Sequence, residues 1–335
     1  MKNKVYNLFE ICNPKQWKTI SIDNLDKNGK YPVYGANGII GYYSEYNHEK
    51  PTLCITCRGA TSGELNISTS YSYINGNTMA LDDLDETKVD INFLYYFLKK
   101  RGFKDIISGS AQPQITRIAL KKINIPLYTL NFQKKVASDL KKAEDIITFY
   151  KNQLLNLTEL VKSLFTTMFG NIKTNDKNWE IKKLKELVEI KSFIINENLN
   201  SIWLLNLEDI EPNTGKLIKK REVSFKNISS STISFNENYV LYSKLRPYLN
   251  KVFLPDEKGF GTSELVPLLP KKNIHKIFLT EYLRNDKIVN FLSQKVSGAK
   301  MPRVIMKDFQ DLNLIFPPIE LQNKFAERIE KIEKL

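Results

Sequence analysis

Histidine is scarce in this sequence of 335 residues: only His48 and His275 occur. An imidazole-based acid–base site or a histidine-rich metal centre has little to draw on. Cysteine is equally sparse, and Cys12, Cys54 and Cys57 make no disulfide framework, which fits a reducing compartment. The Cys54 to Cys57 spacing suggests metal or redox chemistry, but zinc takes four ligands and only the two histidines could help. A buried strand from Leu53 to Arg58, running into a Gly59–Gly63 turn, is the better reading. No apolar run approaches about 18 residues, and no apolar leader follows Lys2 and Lys4, so a cytoplasmic protein without a membrane span is expected.

Motifs for chemistry are missing too. There is no Asn-Pro-Pro-aromatic or Asp-Pro-Pro-Tyr motif of an amino-methyltransferase, so methyl transfer is not expected of this chain. Gly35, Gly38 and Gly41 lack the Gly-Lys-Ser/Thr ending of a nucleotide-binding loop and suit a hairpin whose glycines permit positive φ. Glu189-Ile190-Lys191 and Asp256 stand in the reverse of the order usual in a metal-dependent nuclease. A non-catalytic chain is expected.

What the sequence has in plenty is positive charge and internal similarity. Fifty Lys and Arg against 37 Asp and Glu leave +13, a surplus that favours polyanions, with nucleic acid foremost. General lysine richness would give the same surplus, so charge alone does not decide. Residues 108 to 146 align without a gap on 297 to 335, with nine identities in 39 positions: Ser108/Ser297, Gly109/Gly298, Pro113/Pro302, Asn124/Asn313, Gln133/Gln322, Lys135/Lys324, Ala137/Ala326, Lys142/Lys331 and Glu144/Glu333. Upstream, Phe93-Leu94 faces Phe278-Leu279 and Trp17 faces Trp179, so the offset runs 162, 185, 189. A period this long predicts two tandem modules on one scaffold, differing in loop content.

Between the copies, Val136, Leu140, Ala143, Ile147, Tyr150, Leu154, Leu157, Val161, Leu164 and Met168 follow a 4,3 spacing over about five heptads. This predicts one long helix bounded by Pro126 and Gly170, holding the modules about 5 nm apart. Phe325, Ile329 and Ile332 continue the same seam on a second helix. An apolar stripe needs a partner, and if the fold closes into a ring the segment with Val5, Leu8, Phe9 and Ile11 is in place to cover part of Tyr150 to Met168.

These residues carry a resemblance. Tyr31-Pro32-Val33-Tyr34-Gly35-Ala36-Asn37-Gly38-Ile39-Ile40-Gly41-Tyr42, Ser297-Gly298-Ala299-Lys300-Met301-Pro302-Arg303 and Pro317-Pro318-Ile319-Glu320-Leu321-Gln322, within the doubled plan, resemble the specificity subunit of a type I restriction-modification enzyme. The resemblance covers nearly the whole chain. It implies a mixed α/β (α+β) fold: target-recognition domain 1 over 1–130, a spacer helix over 131–170, target-recognition domain 2 over 171–317, and a short distal helix over 318–335, the helices packing as an antiparallel coiled coil. It implies that each domain reads half of a split sequence on double-stranded DNA. The helices would dock methyltransferase subunits, two of them, with restriction/translocase subunits joining through the complex. This chain would hold no cofactor; S-adenosylmethionine, ATP and magnesium are expected only on partner subunits. Self-association through the helices is a further expectation.

Base readout calls for Arg, Lys, Asn or Gln at a groove, with phosphate contacts from cations and hydroxyls. In the first module Arg58, Thr61, Ser62, Gln112, Gln114 and Arg117 answer that description, and in the second Lys244, Arg246, Tyr248, Ser263, Lys300 and Arg303. For each of them a solvated surface side chain is the plain alternative. The subunit-interface helix is assigned Val136, Leu140, Ile147, Tyr150, Leu154, Leu157, Val161, Leu164, Met168, Phe325, Ile329 and Ile332. A coiled-coil scaffold without DNA specificity is the alternative reading of the whole.

Overall fold

The computed structural model describes residues 4–26, 28–109, 111–194 and 201–334; Lys2 and Leu335, named above, lie outside the described residues. The chain divides into two compact units, Met1–Lys151 and Asn152–Leu335, and the division falls inside one long helix.

The first unit contains β1 (Lys4–Asn7), β2 (Asn13–Gln16), β3 (Tyr31–Gly35), β4 (Gly38–Tyr43), β5 (Leu53–Thr56), β6 (Leu65–Ile67), β7 (Tyr73–Ile74), β8 (Thr78–Asp82), α1 (Ile91–Arg101), α2 (Arg117–Leu120) and β9 (Asn124–Leu127), and then the start of α3 (Leu130–Phe169). An antiparallel sheet ordered β2-β8-β5-β6 is its backbone, with a small sheet ordered β4-β3-β7 and the β1–β9 pair beside it. β5 is buried on both faces, which is why Leu53-Cys54-Ile55-Thr56 reads as a continuous apolar run. β3 and β4 form the expected hairpin, turning at Gly38 with φ +88°. The three cysteines are free and buried, and burial pushes the Cys12 thiol up to about 12, so it packs as a small hydrophobe.

The second unit runs from the far part of α3 through β10 (Glu180–Lys183), α4 (Leu184–Leu187), β11 (Val188–Ile190), β12 (Ser201–Leu205), β13 (Glu222–Ser224), β14 (Ile233–Phe235), β15 (Val240–Ser243), β16 (Val252–Phe253), β17 (Gly259–Gly261), β18 (Leu265–Pro270), α5 (Lys276–Arg284), α6 (Asp286–Gln294), β19 (Val296–Ser297), β20 (Arg303–Val304), α7 (Met306–Gln310), β21 (Asn313–Phe316) and α8 (Ile319–Ile332). Its main sheet, β11-β18-β15-β16, repeats the order of the first. The register repeats as well: Cys54 faces Ala80 and Asn66, as Leu241 faces Pro267 and Phe253.

The repeat extends to single hydrogen bonds. Gln133, fully buried, accepts from the backbone N of Asp90 and donates to the carbonyls of Lys88 and Tyr128. Gln322, also fully buried, accepts from the N of His275 and donates to the carbonyls of Asn273 and Pro317. Each amide fastens a conserved-register helix, α3 or α8, to the N-terminus of α1 or α5. Burial of such a group is tolerated because all three of its bonds are made.

One landmark is corrected. Lys4 pairs with Leu127 and Glu180 with Phe316, so β1 corresponds to β10 at an offset of 176, and Trp17 does not correspond to Trp179. The tryptophans do different work. Trp17 donates from Nε1 to Asp82, whereas Trp179 donates to the carbonyl of Phe169 and closes the turn after α3. Two lone tryptophans in similar surroundings gave a match by residue type where the backbone pairing has another.

The heptad seam divides along its length. α3 is one helix, but Leu140, Ile147, Tyr150 and Leu154 are exposed, Tyr150 to 63 %. In the first unit the row that buries is Gln133 and Ala137, and in the second it is Phe165 and Phe169; Ala137, Phe165 and Phe169 each stand one position beyond a seam residue. Phe165 stacks on Phe278 at 5.7 Å, and Phe325 meets Phe165 and Phe169 edge-on at 5.6 and 5.1 Å. Val161, Leu164, Met168 and Ile332 pack around this cluster. Phe325 and Ile329 are thus core residues of the second unit. The spacing rule found an apolar stripe, but aromatic volume at its border decided which row the core takes. Leu8 and Ile11 likewise belong to the core of the first unit, with the Leu8 N–H bonded to the Ile123 carbonyl. Their burial there takes them out of the cover expected for Tyr150 to Met168.

Candidate nucleic-acid interface

In both units the strand at the centre of the main sheet ends in a loop that is laced to the Ser-Gly-x-x-x-Pro loop. After β5, Arg58 bridges to Gln114, the Gly59 N–H donates to the Pro113 carbonyl at 3.0 Å, and the Ile115 N–H donates to the Cys57 carbonyl. After β15, Leu245 bridges to Arg303, the Arg246 N–H donates to the Pro302 carbonyl at 2.8 Å, and the Val304 N–H donates to the Lys244 carbonyl. The two ladders are the same ladder. Ser108 pairs Gln114 across the first loop as Ser297 pairs Arg303 across the second, and Gly109 and Gly298 turn with φ of +86° and +87°. Only glycine takes that conformation without strain, which explains the Ser-Gly identity of the repeat.

This shared frame presents different side chains. In the first unit Arg58, Gln112 and Gln114 are exposed beside one another on the laced loops. Thr61 and Ser62 are half-buried in the turn, and the Ser62 hydroxyl donates within hydrogen-bond range of both the Gly59 and Pro113 carbonyls, so it braces the two loops. Arg117 stands apart. Its Nε donates to the Pro14 carbonyl at 2.7 Å, an Nη donates to Asn13, and its guanidinium lies over Phe9, so it fastens α2 to β2.

In the second unit Arg246 and Tyr248 are exposed in a tight turn at Pro247–Leu249, and Lys244 is half-buried at its base. Arg246 takes the left-handed conformation, φ +50°, at the place Gly59 holds in the first unit. Lys300 is exposed on the Ser297–Arg303 loop, and Ser263 is exposed next to Glu264. Arg303 makes a fork with Glu264: Nε lies 3.0 and 3.1 Å from the two carboxylate oxygens and Nη2 lies 2.7 Å from one of them. The guanidinium holds the Glu264 carboxyl below the usual carboxylate range.

The structure therefore gathers Arg58, Thr61, Ser62, Gln112 and Gln114 in one unit, and Lys244, Arg246, Tyr248, Ser263, Lys300 and Arg303 in the other, leaving Arg117 as a brace. Sequence reasoning missed Glu264, and its counterpart Asn77: Asn77 O accepts from the Cys57 N–H as Glu264 O accepts from the Lys244 N–H. The available signal was position, since each directly precedes or nearly precedes the strand that pairs the central one. Among the described residues no helix is long and apolar enough to cross a membrane.

Comparison with known proteins agrees with the doubled plan. The family model described as the type I restriction modification DNA specificity domain matches twice, over residues 2–159 and 176–335. Among curated relatives, the chain is similar to the type I restriction enzyme EcoDI specificity subunit of Escherichia coli, 25% identical with 95% of this chain and 82% of that one covered. It is similar also to the type I restriction enzyme MjaVIII specificity subunit of Methanocaldococcus jannaschii, 25% identical with 96% and 73% covered. In fold it is similar to the crystal structure of a type I restriction-modification S subunit from M. genitalium, with a TM-score of 0.62, 18% identity, and 99% and 89% of the two chains covered. A frame laced in the same way twice and a family domain matched twice have one explanation: the chain belongs to the type I restriction-modification DNA specificity family and carries two copies of its domain.

Proposed function

We propose that this chain is the non-catalytic specificity subunit of a type I restriction-modification system, each module reading one half of a bipartite target on double-stranded DNA. The observation that carries the reading is the pair of laced loops, identical in backbone hydrogen bonding and different in side chains. One frame with two side-chain sets is what an asymmetric, two-part target requires, and the +13 charge supplies the sequence-independent attraction. The domain bounds follow the notional plan 1–130, 131–170, 171–317 and 318–335. Methyl transfer, ATP hydrolysis and their S-adenosylmethionine, ATP and magnesium belong to methyltransferase and restriction/translocase partners.

The exposed stretch of α3, with Leu140, Ile147, Tyr150 and Leu154, is the docking surface for methyltransferase subunits in this reading, while Val161, Leu164 and Met168 serve the core of the second unit. Methylation sequencing of DNA from cells carrying the protein with and without its methyltransferase partner tests the proposal. A modified motif of two short blocks around a fixed unread gap is the expected result. A stable complex that yields no motif would favour a scaffold role.

A further inference from the structure

The two modules differ at one structurally equivalent pair of positions in a way that bears on which base each reads. Glu264 and Arg303 in the second unit stand where Asn77 and Gln114 stand in the first: the backbone carbonyls of Glu264 and Asn77 take equivalent hydrogen bonds, and Arg303 and Gln114 occupy the same rung opposite Ser297 and Ser108. One module carries a cation gripped by a carboxylate, the other two exposed amides.

The geometry of the grip leaves one edge of the guanidinium open. Glu264 engages the side formed by Nε and Nη2. The end formed by Nη1 and the second Nη2 hydrogen points elsewhere, and among the described residues Nη1 makes only a long contact, 3.5 Å, with the Met301 carbonyl. A planar fork with one side held and the end free is fixed in direction, which removes rotamer entropy before any ligand arrives. Charge argues against a phosphate partner, because the pair is neutral as a unit and the carboxylate repels a phosphate. Two parallel acceptors without full negative charge suit that end better, and the O6 and N7 atoms of guanine in the major groove are such a pair.

At the matching rung Gln114 has its backbone N–H and C=O both bonded to Ser108, while its side-chain amide makes no hydrogen bond among the described residues. A carboxamide on a fixed backbone offers one donor and one acceptor, the complement of N7 and N6 of adenine.

We infer that Arg303, positioned by Glu264, reads a guanine in the half-site of the second module, and that Gln114 at the same place in the first module reads an adenine. This rests on the proposed DNA-specificity function. Glu264 is a positioning residue, so its loss relaxes base choice without lowering affinity evenly across sequences.

Methylation sequencing in cells carrying the subunit with its methyltransferase partner tests the inference through Arg303→Gln, Glu264→Gln and the double change N77E/Q114R. For Arg303→Gln one guanine position in one block should lose its identity, with discrimination falling roughly tenfold to hundredfold and the other block unchanged. Glu264→Gln should make that same position degenerate, and N77E/Q114R should turn an adenine of the other block into guanine. Motifs unaltered in all three variants while methylation continues would overturn the inference and leave the proposed function standing. So would an even fall in methylation at every site, or loss of all methylation in variants whose purified complexes melt like the wild type. Should Arg303→Gln unfold, Glu264→Gln decides: relaxation at a single guanine supports the inference and an unaltered motif overturns it. Absence of any motif in the wild type would remove the proposed function itself, and this inference with it.

Discussion

Replacing Arg246 by glycine separates a residue kept for its charge from one kept for the fold. Arg246 holds φ +50° because its N–H is bonded to the Pro302 carbonyl and its own carbonyl accepts from Leu249. A left-handed conformation costs an L-residue about 1–2 kcal/mol, and glycine escapes that strain. Glycine in turn loses about 0.5–1 kcal/mol more chain entropy on folding. The two effects leave Arg246→Gly between unchanged and about 1.5 kcal/mol more stable. Gly59, with φ +93° at the same rung, shows that glycine satisfies this backbone. If Arg246 neutralises one phosphate, the slope of log affinity against log salt should flatten by about 0.9 in Arg246→Gly. The affinity lost between about 50 and about 200 mM salt should then be about threefold smaller than in the wild type. Urea melts and fluorescence anisotropy on duplex DNA measure both quantities, with Arg246→Ala as a control that keeps the strain and drops the charge. A salt slope equal to the wild type's, or a loss of stability above about 1 kcal/mol in the glycine variant, would refute the reasoning.

Further outcomes follow from the same structure. Gln133→Leu or Gln322→Leu should each destabilise its own unit by about 3 kcal/mol, three backbone groups losing a bond of about 1 kcal/mol each, as urea denaturation would register. Because Arg303 depresses Glu264, the contribution of that pair is present above the unfolded glutamate value of about 4.3 and is lost as pH falls through the lower folded value. Melting curves against pH should therefore be flatter below about pH 4.3 in Glu264→Gln than in the wild type. Tyr150→Glu with Leu154→Glu, both exposed, should leave melting unchanged while weakening methyltransferase docking in a pull-down; undiminished docking would locate the interface elsewhere.

The repeat was legible in the sequence wherever a residue has a backbone duty that few others can perform. Gly109 and Gly298 need positive φ, the buried Gln133 and Gln322 each satisfy three backbone groups, and these pairs are identical. Strand positions that need only an apolar side chain, such as Cys54 and Leu241, share no letter, and their equivalence emerged from pairing register alone. The same indifference misled the Trp17 and Trp179 match.

Sequence by itself determined the doubled plan, the long helix, the surplus of positive charge and the Ser-Gly-x-x-x-Pro loop pair, because periodicity, net charge and special φ angles are written in local residue types. Only the tertiary structure decided that Arg117 is a brace, that Phe165 and Phe169 lead the core of the second unit with Val161, Leu164 and Met168 packed around them, and that Glu264 grips Arg303. Those outcomes depend on which side chains meet at sequence separations of 39 to 160, and no local pattern encodes such a meeting.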